Sequence, residues 1–543
     1  MTQLTGGEAV VQTLLAHGVE TLFGLPGIQN DWLYNALYDV RDQIRVIHTR
    51  HEQGAGYMAL GYALAAGETA VFNVVPGPGV LNASAALATA YGLNAPVFCL
   101  TGQIPSQHIG KGRGVLHELP DQLGVLQRLT KWAARAHSPA EAAALVAEAF
   151  CQLNNGRPRP VAVEVPMDVL ATREEMALPV PQTAVSDPVP VPDPDAIEQA
   201  AKALGKAKRP LIYVGGGAQN VSQPIRQLAE MLQAPVVGYR TGMGIMDGRH
   251  YLSIHLPPSH TLWQNADAVL LVGTHAREPL KGWGVDDEMT LIKIDVDPAS
   301  HAIYHQPDIA ITARAEDAVP LLLARTAVYN RKRPSREDEM RALKADWEKQ
   351  TAYLEPQRTY LKVIREALGE DGIFVDELTQ VGFTARITLP VYHPRTFIST
   401  GYMGTLGYGF PTGLGVKVAR PDVPVIAVAG DGGFMFAVQE LATAVQHRIG
   451  LVTILFNNNQ YGNVQQMQKN LYGGRVIATD LQNPDFIRLA ESFGAQAFRA
   501  NTAESLRQAI AKGLQSDFPT LIEVPVGDMP SVDRFRGLPR VRK

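Results

Sequence analysis

Short aliphatic runs ended by glycine or proline recur along this chain, each followed by a segment of helical periodicity. "VETLFGLPG", "TAVFNVVPGPG", "APVFCLTGQ" and "RPVAVEVP" are examples from its first third. Strands that are apolar along their whole length have both faces covered, and strands that alternate with helices pair in parallel. Val10, Val11, Leu14 and Leu15 share one helical face, and Gly18 stops that helix. The pattern predicts an α/β fold of mainly parallel sheets flanked by helices. At 543 residues the chain is too long for one core, so several domains are expected.

A proline-rich stretch, "LPVPQTAVSDPVPVPDPD", reads as an extended linker, because its fixed φ angles and missing donors suit no regular element. After it, "RPLIYVGGGAQN", "APVVGYR", "ADAVLLVGTHA" and "MTLIKIDVDP" give four further strand signals. The charged helical pattern "SREDEMRALKADWEKQTAYL" then leads into a last α/β unit. The expected division is a first domain at 1–178, a linker at 179–195, a central domain at 196–334, a helical linker at 335–357 and a last domain at 358–543. "RPVAVEVP" and "FPTLIEVP" close the first and last domains alike, which suggests that the outer two are related.

Composition excludes several classes. Lys and Arg total 49 against 53 Asp and Glu with no long run of one sign, so no footprint for nucleic acid or an anionic membrane is expected. Two cysteines, Cys99 and Cys151, rule out a disulfide framework and point to a reducing compartment. The N-terminal segment lacks the basic start and continuous apolar core of a signal peptide, and no apolar stretch is long enough to span a bilayer. A cytoplasmic protein is expected.

The strand "VPVIAVAG" runs straight into Gly430-Asp431-Gly432, and the strand "LVTILF" runs into Asn457-Asn458. Both polar clusters fall at carboxyl ends of parallel strands, where open α/β sheets bind ligands. Asp431 offers a hard oxygen, Asn458 a side-chain carbonyl and the following loop, at Gln460, a backbone carbonyl. Mg²⁺ prefers six oxygens, which leaves room for water and phosphate. Glycines 430, 432 and 433 let backbone N–H groups approach an anion at a helix start.

Gly430-Asp431-Gly432, then 24 residues, then Asn457-Asn458 resembles the thiamine diphosphate-binding motif. "VIHTRHEQGAGYMALGYALA" supplies Glu52 after a strand and before a small-residue helix, where that family has a glutamate near N1′ of the aminopyrimidine. A carboxyl there favours the imino tautomer, whose nitrogen takes the thiazolium C2 proton. "ISTGYMGTLGYGFPTGLGV" resembles the segment that places a bulky residue under the cofactor, at Leu406, with Met403 nearby; Tyr461 and Gly462 follow the asparagines. With "GLPG", "TGQIP" and "RPLIYVGGGA", the resemblance spans the chain and is to the acetolactate synthase, pyruvate oxidase and benzaldehyde lyase group. It implies pyrimidine-binding, central and diphosphate-binding domains, with thiamine diphosphate and Mg²⁺ as cofactors. It also implies active sites between two subunits, hence a homodimer at least and usually a homotetramer. Some relatives hold FAD or ADP in the central domain and others leave it empty; "THAREPLKGWG" only partly resembles the FAD segment, so FAD is an alternative that is not favoured.

The pocket departs from each relative. Ile28 falls where pyruvate decarboxylases have an acidic residue, and their adjacent histidine pair is absent. Gln29 falls where benzaldehyde lyase has histidine, and Met467 where acetohydroxyacid synthases have the tryptophan that favours 2-oxobutyrate. His117 lies where relatives place a glutamine facing the thiazolium; it can relay protons there, or bond a neighbouring carboxylate such as Glu118. Lys111 and Arg113, on a loop with two extra residues, can meet a substrate carboxylate or stay solvated. The expected activity is carboligation with decarboxylation of 2-oxo acids to acyloins, acetolactate synthase-like. The alternatives are a 2-oxo acid decarboxylase or aldehyde lyase and, remotely, a non-catalytic nucleotide sensor.

Overall fold

The computed structural model describes residues 2–179 and 190–543. Most of the proline-rich linker, residues 180–189, therefore lies outside the described residues. The linker's expected end at 195 is overrun by the next helix, Pro194–Lys206, because proline is tolerated in a first helical turn and the Asp193 side chain caps it.

Three six-stranded sheets carry the described chain, and all neighbouring strands within them are parallel. A short antiparallel ribbon pairs β1 (Thr2–Thr5) with β8 (Arg173–Met176). The first sheet runs β3 (Arg45–His48), β2 (Thr21–Gly24), β4 (Ala70–Val74), β5 (Val97–Gln103), β7 (Val161–Pro166), β6 (Trp132–Arg135). The last runs β16 (Phe397–Ile398), β15 (Ile373–Val375), β17 (Val425–Gly430), β18 (Val452–Asn457), β20 (Thr520–Pro525), β19 (Gln496–Arg499). Counted along their own segments, both have the order 2-1-3-4-6-5. The middle sheet, β11 (Ser253–Ile254), β10 (Val236–Gly238), β9 (Pro210–Val214), β12 (Ala268–Val272), β13 (Thr290–Asp295), β14 (Ile309–Thr312), has the doubly wound order 3-2-1-4-5-6.

The echo between "RPVAVEVP" and "FPTLIEVP" has a physical basis. Glu164 on β7 faces Arg135 on the edge strand β6 and forms an ion pair with it. Glu523 on β20 does the same with Arg499 on β19, at 2.9 Å. In both sheets a carboxylate inside the sheet is neutralised from the edge. Its remaining capacity holds an amide beside the site: Gln122 in the first unit, Asn457 in the last.

The outer units share one core. Helix Glu52–Ala66 lies against helix Gly409–Ala419, and buried residues of both sheets join around them, from Phe23 and Phe72 to Leu414 and Val425. The contact is backbone against backbone: a Cβ on Gly61 would sit 2.1 Å from the Thr412 carbonyl, and one on Gly415 would sit 1.9 Å from that of Met58. The small residues of "GAGYMALGYA" and "GFPTGLGV" are thus required by close approach. The middle unit keeps its own core, joined to the last by helix Glu337–Thr351.

After β17 a single helical turn at Asp431–Phe434 and helix Glu440–Gln446 are separated by a bend. Phe436, in that bend, packs its Cβ where a side chain on Gly407 would stand, at 2.5 Å.

Candidate active site

In the first sheet the candidate residues gather at the carboxyl edge. Glu52 follows β3 and opens its helix, capped by the His51 side chain. It is 8% exposed, and its Oε2 accepts a hydrogen bond from Asn82 Nδ2 at 3.0 Å. It lies over the first turn of helix Pro78–Leu93, where a Cβ on Gly79 would meet Oε1 at 3.6 Å.

Gln29, in the turn after β2, is buried. Its Nε2 donates to the Leu116 carbonyl at 3.0 Å, and its Oε1 lies 2.8 Å from Nδ1 of His117. His117 has a φ of 69°, a left-handed conformation that turns its carbonyl towards Gly77; a Cβ there would stand 2.5 Å from that oxygen. Gly77 N–H donates to Gln122 Oε1 at 2.7 Å, which holds the turn that the His117 carbonyl packs against and that adjoins Glu52. Glu118 is not the partner of His117. Its carboxylate accepts the N–H groups of Val115 and Arg113, which hold it below the usual carboxylate range. Ile28 and Leu116 stand half-exposed beside the pair, and Lys111 and Arg113 are exposed.

In the last sheet the carboxyl ends of β15, β17 and β18 converge. Asp431 is 2% exposed, and burial raises its carboxyl above the ordinary range. One amide nitrogen, Nδ2 of Asn483, donates to Asp431 Oδ2 at 2.7 Å and reaches Asn457 Oδ1 at 3.1 Å and Asn459 Oδ1 at 3.2 Å. Three side-chain oxygens thus surround a single donor, the arrangement a hard cation would take over. The described residues contain no cluster of three or more His, Cys, Asp or Glu side chains suited to a metal, so a cation here would be held by one carboxylate, amide or backbone carbonyls and added oxygens. The donor set fits Mg²⁺.

The Asn458 side chain lies beside Gly462: its Nδ2 is 2.9 Å from where a Cβ there would be. The Gln460 side chain donates to Asp528 Oδ1 at 2.8 Å, which points it towards Asp528. Two of the glycines have packing reasons. A Cβ on Gly432 would strike the Tyr461 ring at 2.5 Å, and one on Gly433 would meet Glu377 Oε1 at 2.8 Å. Gly430 is more open. Leu406 is half-buried, and Met403 and Met467 are 40% and 48% exposed.

Sequence reasoning missed Glu377, Thr379 and Gln380, after β15. Glu377 is buried and accepts the Gly407 N–H at 2.9 Å; its Oε2 has no partner, and burial pushes its carboxyl up to about 7. Thr379 caps helix Gln380–Thr388, whose N-terminus opens onto the same edge, and a half-buried Gln380 sits there with Oε1 unpartnered. Asn483 was missed as well. Only the run of polar residues after an apolar strand could have signalled the first group; nothing local marks Asn483.

The glycine run after β9 has its own structural reason. A Cβ on Gly215 would meet the Gly273 carbonyl at 2.4 Å, and Gln219 and Asn220 are held by Arg395 at 2.6 and 2.7 Å.

Three family models match the chain: the N-terminal TPP-binding domain of thiamine pyrophosphate enzymes at residues 4–125, the central domain at 197–322 and the C-terminal TPP-binding domain at 378–524. The chain is 33% identical to a probable 2-ketoarginine decarboxylase of Pseudomonas aeruginosa, over 96% of this chain and 94% of that protein. It is 32% identical to a probable acetolactate synthase large subunit of Methanocaldococcus jannaschii, over 96% and 92%, and 31% identical to an acetolactate synthase of Arthrospira platensis, over 96% and 94%. The chain belongs to the thiamine pyrophosphate enzyme family.

Proposed function

We propose that the chain decarboxylates 2-oxo acids and joins the remaining acyl unit to a second carbonyl, with Glu52, Gln29 and His117 on one side of the cofactor and Asp431, Asn458 and the Gln460 carbonyl holding Mg²⁺ and diphosphate on the other. When bound, thiamine diphosphate supplies the electron sink that lets a bond to a carbonyl carbon break. Glu52, buried and bonded to Asn82, would face the aminopyrimidine. Leu406, beside the glycine that Glu377 anchors, would support the cofactor from below.

The observation that carries this reading is the separation of the two groups within one chain. Glu52 contacts Asn82 near the start of helix Pro78–Leu93, whereas Thr405 and Met403 lie against Thr89 and Gly92 near its end. At 1.5 Å per residue those contacts are about 10–15 Å apart along the helix. A second copy supplies the missing half, so a homodimer is the smallest active unit and a homotetramer is consistent with it. The half-exposed Val464 and Met467 and the exposed Leu471, along one face of helix Gly462–Leu471, suit such a site. Both cysteines are free and buried, which supports a reducing, cytoplasmic setting; no helix among the described residues is long and apolar enough to cross a membrane.

A second reading, simple decarboxylation, is supported by the Gln29–His117 pair, which leaves His117 Nε2 as a proton carrier at the pocket, and by the likeness to a probable 2-ketoarginine decarboxylase. Protein given thiamine diphosphate, Mg²⁺ and one 2-oxo acid at a time, with products followed by NMR, separates them. CO₂ with an acyloin or acetolactate supports the first reading, and CO₂ with the aldehyde alone supports the second. No CO₂ from linear, branched, aromatic or guanidinium-bearing 2-oxo acids overturns both.

A further inference from the structure

Glu440 opens the helix that follows the Asp431 turn and is completely buried at the contact between the outer units. Its side-chain hydrogen bonds go to Arg50 and Thr443, neither of them assigned to cofactor or substrate, and they engage its carboxylate. Oε2 accepts the backbone N–H of Arg50 at 3.1 Å and the hydroxyl of Thr443 at 2.6 Å; Oε1 is 3.3 Å from the same Arg50 nitrogen. The His51 N–H also points at it. On the far side, a Cβ on Gly54 would stand 2.4 Å from Oε1. Residues 50, 51 and 54 flank Glu52.

We propose that Glu440 is a positioning residue for Glu52, holding the two backbone donors before it and abutting the helical turn after it. Helix Glu52–Ala66 starts with its first N–H groups free of intrahelical partners, and its own cap, His51, serves only Gln53. A buried carboxylate from another unit therefore sets the angle at which the chain enters the helix. That angle sets where the Glu52 side chain leaves the backbone. The same short segment, Asp431 to Glu440, carries the metal-binding aspartate at one end and this clamp at the other. If the two halves of an active site come from different subunits, the clamp links the diphosphate end of one site to the catalytic carboxylate of its neighbour. The inference rests on the proposed role of Glu52.

The test uses the full chain with thiamine diphosphate and Mg²⁺, measuring cofactor affinity by fluorescence quenching and C2 proton exchange of the bound cofactor by acid-quench NMR. Glu440→Ala should slow exchange roughly tenfold or more while the cofactor Kd stays within about threefold, because misplacing a proton-transfer group costs rate rather than binding. Glu440→Gln, which keeps one acceptor for Arg50, should restore most of the exchange. Should Glu440→Ala fail to fold, Gly54→Ala, which drives a methyl into the carboxylate, is expected to slow exchange in the same way. Unchanged exchange in folded Glu440→Ala or Gly54→Ala overturns the proposal, as does a loss of exchange that only follows a loss of cofactor binding. Glu52→Gln separates the two levels: fast exchange in that variant overturns the role of Glu52 itself and the proposal with it, whereas slow exchange there beside normal exchange in Glu440→Ala overturns only the clamp.

Discussion

His117 donates its Nδ1–H to Oε1 of Gln29 at 2.8 Å. The direction follows from the amide: Gln29 Nε2 is committed to the Leu116 carbonyl, so the oxygen faces the ring, and an amide oxygen only accepts. A neutral His117 therefore keeps its proton on Nδ1 and presents an unprotonated Nε2.

His117→Ala should lower kcat by about 10²-fold, the lower end of what a positioned proton carrier contributes, with cofactor affinity unchanged. Gln29→Leu should fall between this variant and wild type, because the ring stays but loses its fixed tautomer. Steady-state kinetics with cofactor titration measure both, and a variant that loses cofactor binding as well would point to a loop that has collapsed.

Asp431→Ala should abolish Mg²⁺-dependent binding of thiamine diphosphate, because it removes the one carboxylate among the converging oxygens. Asn483→Ala should cost less, about 10-fold, the scale for a residue that only orients ligands. Calorimetry with and without Mg²⁺ distinguishes them; equal losses would mean that Asn483 is itself a ligand.

The legible part of this site is the part whose spacing is local. Gly430-Asp431-Gly432 and the asparagines each end a strand, so strand length and turn chemistry reveal them without a partner. Glu52 and Leu406 were legible only through family resemblance, since an acidic helix start and a leucine in a glycine-rich turn are ordinary. Gln122, Glu377, Glu440 and Asn483 were illegible because their meaning lies in contacts across the chain: Glu440 acts 390 residues from Arg50, and Asn483 acts 52 residues from Asp431. The edge strands β11 and β14 escaped notice for another reason, being too short and too exposed on one side to leave an apolar run.

Glu377 predicts a pH dependence of stability in the protein without cofactor. In the unfolded chain it titrates near ~4.3, and in the fold near about 7. Between those values the folded state holds a proton that the unfolded state has released, so stability is full below the lower value and falls as pH rises through the upper one. Glu377→Gln removes this fall. It should match wild type near pH 4 and exceed it at pH 8 by up to about 4 kcal/mol, at about 1.4 kcal/mol per unit. Thermal melts across that range test it, and a constant offset between the two proteins would refute it.

Gly415→Ala should be the most damaging conservative change in the interface between the outer units. Its new methyl would stand 1.9 Å from the Met58 carbonyl, a backbone atom of a buried helix that cannot rotate aside. The helices must separate, which opens the core they share, and overpacking of this kind costs about 1–3 kcal/mol or more. Gly61→Ala, at 2.1 Å from the Thr412 carbonyl, should behave alike from the opposite helix. Because both changes relieve themselves by the same separation, the double variant should lose less than the sum of the two. Gly527→Ala, with nothing within 4 Å, serves as the control and should stay within about 0.5 kcal/mol of wild type. Full additivity in the double variant would mean that each glycine is accommodated by its own local shift and that the two helices do not move as one joint.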